Sequence, residues 1–212
     1  MRKVLLSSLC VCLVIFLGIR ILSNNKASEN FTYENNPAKE TLLKSNKTYT
    51  VVPNSEKLSS GYYDVSETSS KELFLGNENL NKKDIVRNQA FYDTNKFQTP
   101  KKSSVYLVPS KEKYLPVEEE GTIHLKNSYG NFFVPDSING EYKFELVGDG
   151  EVFCQIQDIN EDTGFINNVL EDFVFNNSNS AIKKLKPTMI ISFFKKSGEG
   201  DMSILICSKT KV

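Results

Sequence analysis

Polar and apolar residues alternate through much of the chain once its first two dozen positions are passed. Residues 141–147 alternate around Tyr142, Phe144 and Leu146, and Val152, Cys154 and Ile156 take up the same two-residue period a few positions later. That period places every second side chain on one face of a strand, so both stretches predict half-buried strands. Gly148-Asp149-Gly150 between them has the composition of a hairpin turn. Residues 189–194 and 202–207 flank a polar loop at 195–201 and predict a second hairpin. One segment departs from this period: Ile166, Val169, Leu170 and Phe173 recur at helical spacing and predict one short helix over the sheet. The first half repeats the plan with an alternating stretch at 62–65, a polar middle at 81–88 and a closing hairpin through Pro109-Ser110-Lys111-Glu112-Lys113. The pattern predicts a mainly β protein: an N-terminal membrane helix or signal, then two small β-sandwich or barrel-like repeats with minor helix.

The N-terminus follows a different rule. Arg2 and Lys3 precede an uncharged run at 4–19, and Arg20 is followed by Ile21 and Leu22 before the chain turns polar at Ser23. Nineteen residues at about 1.5 Å each give roughly 28 Å of helix, close to the roughly 30 Å hydrocarbon core if Arg20 reaches the outer interface. Residues 1–22 therefore read as a retained membrane anchor or a cleaved export signal, and the lack of an A-x-A cleavage pattern favours the anchor. Cys10 and Cys12 follow the bulky Leu9 and Val11 inside the run, which argues against lipidation at either. Basic residues before the run place the rest of the chain outside the cytoplasm. The expected location is the cell membrane, single-pass with the C-terminal part extracellular, or the secreted fraction if the signal is cleaved. Residues 23–46, rich in Asn, Glu, Lys and Ser, read as a flexible linker.

A weak internal repeat divides the remainder. Val52-Pro53-Asn54-Ser55 and Gly61-Tyr62-Tyr63-Asp64-Val65 recur as Val134-Pro135-Asp136-Ser137 and Gly140-Glu141-Tyr142-Lys143-Phe144, 82 residues later at their starts. Phe91 then corresponds to Phe173, and Val105-Tyr106-Leu107 to Met189-Ile190-Ile191. Proline with Asn or Asp makes the turn, and glycine opens the strand. The repeat predicts β domains at 47–117 and 118–212, joined near residues 114–121. At Gly140-Glu141-Tyr142 and Asn88-Gln89-Ala90-Phe91 the chain resembles poorly characterised small β domains, often tandem, of secreted or membrane-anchored proteins of Gram-positive bacteria. The first copy lacks their glutamate at Ser60-Gly61-Tyr62. The resemblance implies an envelope location and brings no catalytic residue with it.

Composition narrows the chemistry. Hydrophobic residues make up 39% of the 212-residue chain and charged residues 25%, enough apolar material for a packed core. Lys and Arg balance Asp and Glu at 26 each, which argues against nucleic acid as a partner. His124 is the one histidine, alternating with apolar neighbours as a solvent-facing strand residue does, so His-based metal and acid–base sites have no second member. No Gly-x-Ser-x-Gly elbow accompanies it. Asp158, Asn160 and Asp162 space oxygen ligands as the start of a calcium loop does. Gly164 falls one place late, however, and Val169 stands where a bidentate Glu is needed, so a solvated acidic turn is the better reading. Cys154 and Cys207 are either a disulfide, worth about 3–4 kcal/mol in the chain-entropy model, or two free thiols. Residues 118–173 hold thirteen acids and two lysines, whereas 181–212 hold seven lysines and two acids. Cross-strand pairing accounts for that asymmetry, and the sharper reading is an anionic-partner patch of Lys183, Lys184, Lys186, Lys195 and Lys196. No catalytic residue and no cofactor are expected. The function expected is a membrane-anchored extracellular β module binding a protein or cell-wall partner. The alternatives are a small envelope hydrolase and an accessory subunit or inhibitor of a membrane complex.

Overall fold

The computed structural model describes residues 31–67, 73–118, 121–159 and 166–209. The N-terminal apolar run lies outside the described residues. Fourteen strands follow one another with no helix among the described residues: β1 (Thr41–Leu43), β2 (Thr48–Thr50), β3 (Gly61–Glu67), β4 (Ile85–Phe91), β5 (Lys96–Gln98), β6 (Val105–Pro109), β7 (Ile123–Lys126), β8 (Ser128–Phe133), β9 (Gly140–Val147), β10 (Glu151–Ile159), β11 (Ile166–Asn176), β12 (Ala181–Leu185), β13 (Met189–Ser197) and β14 (Ser203–Ser208). They form an eight-stranded sheet in the order β1-β6-β3-β4-β8-β13-β10-β11, a four-stranded sheet β12-β9-β14-β7 and a two-stranded ribbon β2-β5.

The alternation read from sequence selects the core faces. Tyr142, Phe144 and Leu146 of β9 are buried, as are Val152, Cys154 and Ile156 of β10. These two sets belong to different sheets that face each other. The Phe144 ring of the small sheet meets Phe173, Phe175 and Phe193 of the large one at centroid distances of 5.4, 6.2 and 6.4 Å. In the first half the ribbon covers the same face of the large sheet: Phe97 of β5 meets Phe91 of β4 at 4.9 Å, and Phe91 meets Tyr63 of β3 at 5.3 Å. Burial of each such ring contributes about 1.5–3 kcal/mol.

All three predicted hairpins are corrected. The one through residues 109–113 does not form, because β6 pairs with β1 and β3 and the chain after it bridges to β8, Tyr114 lying parallel to Phe133. β9 and β10 do not pair, and neither do β13 and β14, because each turn carries the chain from one sheet to the other. The same holds for β7 and β8, which meet at Asn127 in the left-handed region, φ 48°. The three crossovers stack on one another. Asn127 N–H donates to Met202 O at 2.8 Å and Met202 N–H donates to Asn127 Oδ1 at 2.9 Å. Gly198 has φ 113°, and a Cβ there would strike the Asp149 carbonyl of the adjoining crossover and lie 2.6 Å from Met202 Sδ. Turn composition shows where a chain reverses, while the sheet that receives the next strand is decided by packing on the far side.

Three further expectations change. The helix predicted from Ile166, Val169, Leu170 and Phe173 is β11, because Phe173 and Phe175 point inward at a period of two against Phe144 while Val169 and Leu170 stay exposed. The stretch read as linker contains β1, whose Leu43 is buried beside β6, and Asn36 earlier in it is bonded to Tyr62 of β3. The repeat is not carried into equivalent places: β3 lies between β4 and β6 of the large sheet, whereas its match β9 lies between β12 and β14 of the small one. Even the matched turns differ, closing Val52 O to Ser55 N–H in one copy and Pro135 O to Ile138 N–H in the other. What the copies share is local turn chemistry.

Segments 47–117 and 118–212 share the large sheet through a parallel seam between β4 and β8, which aligns Ile85 with Ser128, Val86 with Tyr129 and Arg87 with Gly130. Gly130 has φ 98°, and any Cβ there would strike the Arg87 carbonyl, so only glycine lets the strands close. Beside the seam, the loop after β3 crosses to β13. Lys195 Nζ meets Asp84 Oδ2 at 2.8 Å with both side chains fully buried. Asn81 N–H donates to the same Asp84 oxygen at 2.8 Å, and Lys195 N–H donates to Asn77 Oδ1 at 2.8 Å. Around this buried pair lie two more, the exposed Lys83 with Asp201 at 2.9 Å and the half-buried Lys196 with Glu78 at 3.2 Å. Leu115, inside the expected joint at 114–121, is buried and bonds Phe133 O through its N–H at 3.0 Å.

Removing one member of a buried pair strands the other charge, at a cost of about 3–5 kcal/mol. Asp84→Ala and Lys195→Ala are each expected to destabilise by that amount in urea unfolding, whereas Asp84→Leu with Lys195→Met recovers most of the loss. Additive losses in the double variant would show that the two groups are not coupled.

Candidate functional site

The large sheet has a second face, opposite the core. On β3, Tyr63 and Val65 point inward, so Tyr62 and Asp64 point outward. Asp64 Oδ2 accepts from the Arg87 guanidinium of β4 at 2.6 Å, and its Oδ1 lies 2.9 Å from Ser110 Oγ. The Ser110 hydroxyl also lies against Asn88 Oδ1. Asn88 sits at φ 55°, where the β3–β4 register slips, and this turns its amide across the seam. Its Nδ2 donates to Asn131 O on β8 at 2.6 Å, and Asn131 Nδ2 donates back to Asn88 O at 3.3 Å. Ser192 Oγ of β13 then donates to Asn131 Oδ1 at 2.6 Å. Ser192 stands opposite Gln155 of β10, which stands opposite Asp172 of β11. Polar side chains thus form one rung across six strands, with Asn88, Ser110, Gln155 and Ser192 buried. Asn88, Ser110 and Ser192 bond other members of the rung, and Gln155 Oε1 accepts from Gln157 Nε2 of its own strand at 2.6 Å.

At one end of the rung the chain before β1 lies over the sheet as a strap. Tyr33 stacks on Tyr62 with ring centroids 4.0 Å apart and planes 9° apart. Phe31 packs on Tyr62 and Tyr92 at 5.0 and 5.4 Å. Asn36 behaves as a strand residue would: its Nδ2 donates to Tyr62 O at 2.8 Å and its Oδ1 accepts from Tyr62 N–H at 2.9 Å. Across the seam, Phe133 closes the group against Tyr33 and Tyr114, with Lys113 Nζ 4.7 Å from the Phe133 centroid, 5.2 Å from that of Tyr114 and 5.6 Å from that of Tyr33. The arrangement is an amphipathic aromatic surface with a cation at its rim.

Burial raises the phenols of this group. It pushes Tyr62 up to about 12, with the neighbouring Tyr92 and Glu34 adding to the shift. Tyr33 is pushed well above the usual range by burial and then by Tyr62, Asp64 and Tyr92, and Tyr92 is raised by burial. The face offers stacking rings, amides, a paired Asp64 and Arg87 and phenols held protonated. Ser110 faces a carboxylate and an amide, and His124 is exposed on β7 of the other sheet.

The residues singled out from sequence fall elsewhere. Cys154 and Cys207 are both free. Cys154 is buried on the core face of the large sheet, where burial pushes its thiol up, whereas Cys207 of β14 is out of phase with the inward Ile204 and Ile206 and so faces away from the core. Of the two readings left open, the structure holds the free thiols. The lysine patch is dispersed: Lys195 is the buried partner of Asp84, Lys196 pairs with Glu78, and Lys183 pairs with Glu171 at 2.7 Å and lies 4.8 Å from the Phe173 centroid. Lys184 and Lys186 are the two of the five that are exposed. None of the three pairs joins neighbouring paired strands, since β12 and β11 belong to different sheets and Asp84 and Glu78 lie in the loop before β4; Lys209, just after β14, pairs with Glu141 of the adjacent β9 at 3.4 Å. Asp158, next to last in β10, stands opposite Met189, and Asn160 and Asp162 lie outside the described residues. The outer-face group escaped the sequence reading because Phe31, Tyr33 and Asn36 sit in a stretch too polar to suggest packing. The one available signal was the alternation of Tyr62 and Asp64 with the buried positions of β3. Set against protein-family models and against curated proteins, the chain matches none.

Between pH 10, where an ordinary phenol ionises, and about 12, the folded state keeps a proton on Tyr62 that the unfolded chain loses. Stability from this burial is therefore complete below pH 10 and falls as pH rises toward 12. Tyrosinate absorbance is expected to rise in two stages, the later one coinciding with loss of the sheet's far-ultraviolet dichroism, and Tyr62→Phe should move that stage to higher pH. Ionisation of all nine tyrosines near pH 10 with the sheet intact would contradict the burial described.

Proposed function

We propose that the chain is a membrane-tethered extracellular β module of the bacterial cell envelope that binds a protein or wall component and carries no catalysis. Its two facing sheets, the larger one shared by both halves, support this reading, since they suit the rigid β-sandwich such modules use. The observation that carries the proposal is the strap over the outer face: its aromatic group presents Tyr114, 49% exposed, beside Lys113 and Phe133, a combination suited to anchoring a partner. Polar groups on the same face are held by one another rather than arranged as nucleophile and base, which favours binding over hydrolysis. The strap also begins close to the apolar run, with residues 23–30 between them. Eight residues span at most about 28 Å, so a tethered chain keeps this face near the membrane surface.

A reporter fused after Val212 is expected to be active only if it works outside the cytoplasm. In crosslinking pull-downs from fractionated cells, Tyr114→Ala is expected to lower partner capture by about tenfold, the loss typical of an aromatic anchor. A fusion active only in the cytoplasm would overturn the envelope location. Capture unchanged by Tyr114→Ala would overturn the choice of face.

A further inference from the structure

The large sheet ends in two unequal edges. At one, β1 is three residues long; at the other, β11 runs for eleven with its outer edge unpaired among the described residues. Val169, Leu170 and Val174 of β11 are 43%, 45% and 46% exposed. Ile182 of β12, the edge of the small sheet, is 46% exposed, and β12 lies under β11, since Lys183 reaches both Glu171 and the Phe173 ring. A long edge strand usually carries lysine, proline or a bulge that blocks further pairing. β11 has neither lysine nor proline, and its register shifts against β10 lie toward its beginning, leaving 171–176 regular.

We propose that two copies of the chain associate through this edge, β11 pairing antiparallel with β11 about a two-fold axis at Val174. The charges of the strand select the occupant and the register. Residues directly opposite across an antiparallel pair share a face, so the axis must fall on a residue. An axis at Asp172 would set two carboxylates against each other, and one at Phe173 would set Glu171 against Phe175. An axis at Val174 pairs Val174 with its copy, Phe173 with Phe175 and Asp172 with Asn176, and sets Glu171 just past the end of the partner strand. That register opposes no like charges and puts β-branched and aromatic residues together. A two-fold axis here is self-complementary and closed, so it gives a dimer and not a fibre. This association is independent of where the chain resides and of what its outer face binds.

The test uses the full chain in detergent micelles, with Cys10, Cys12 and Cys207 replaced by serine and buried Cys154 retained. Sedimentation is expected to show a reversible dimer, and Val174→Lys, an exposed position that the monomer tolerates, is expected to weaken it at least tenfold. Val174→Cys should form a 174-to-174 disulfide on mild oxidation, while Leu42→Cys on the opposite edge should not. A monomer at all concentrations would overturn the proposal. So would a dimer that survives Val174→Lys without the 174-to-174 bond, which would place the association in the N-terminal run or another face. Crosslinking of the Val174→Cys variant to a different protein in native membranes, with no 174-to-174 product, would assign the edge to a foreign strand and equally overturn it.

Discussion

Lys195 carries an ammonium group to a place where its side chain is fully buried, and the joining of the two halves turns on how that charge is met. Its partner, Asp84, belongs to a loop more than a hundred positions earlier, so the pair can form only when the first half lies against β13. An isolated buried charge is expensive, whereas a well-bonded pair roughly offsets its own desolvation. The pair therefore adds little net stability but discriminates strongly against arrangements that separate its members. Gly130 does the matching work on the backbone, letting β8 approach β4 closely enough for a parallel ladder.

From that seam the outer face follows. Because β4 and β8 are adjacent, Asn88 reaches Asn131, and a rung that would otherwise stop at the edge of each half runs on to Ser192 and Gln155. Tyr33 stacks on Tyr62 from the first half and meets Phe133 from the second, so the strap rests on both sides of the seam. Binding at this face would be felt by both halves, and loosening the seam would disperse the aromatic group without altering any of its residues. The site is a property of the assembled sheet.

Local pattern and long-range placement had different fates in the sequence. The inward sets Tyr142, Phe144, Leu146 and Val152, Cys154, Ile156 were legible because a period of two is written into neighbouring residues. That they face each other from different sheets was not, since a glycine-rich turn reads alike whether it closes a hairpin or crosses a sandwich. The helical spacing of Ile166, Val169, Leu170 and Phe173 misled because two of those residues are simply exposed. Lys195 was read as a surface charge for the same reason: nothing near it in sequence announces Asp84. The outer-face site was least legible, because its rung takes only one or two residues from each strand and its strap lies in a stretch with almost no apolar periodicity.

Native-state hydrogen exchange in the intact chain tests the shared sheet most directly. If the seam joins the halves into one cooperative structure, the slowest amides of β3 and β6 and those of β10 and β13, on the other side of the seam in the same sheet, will open with the same free energy and the same dependence on urea. Two separate values, with one half opening while the other remains protected, would contradict a single sheet held at Lys195, Asp84 and Gly130.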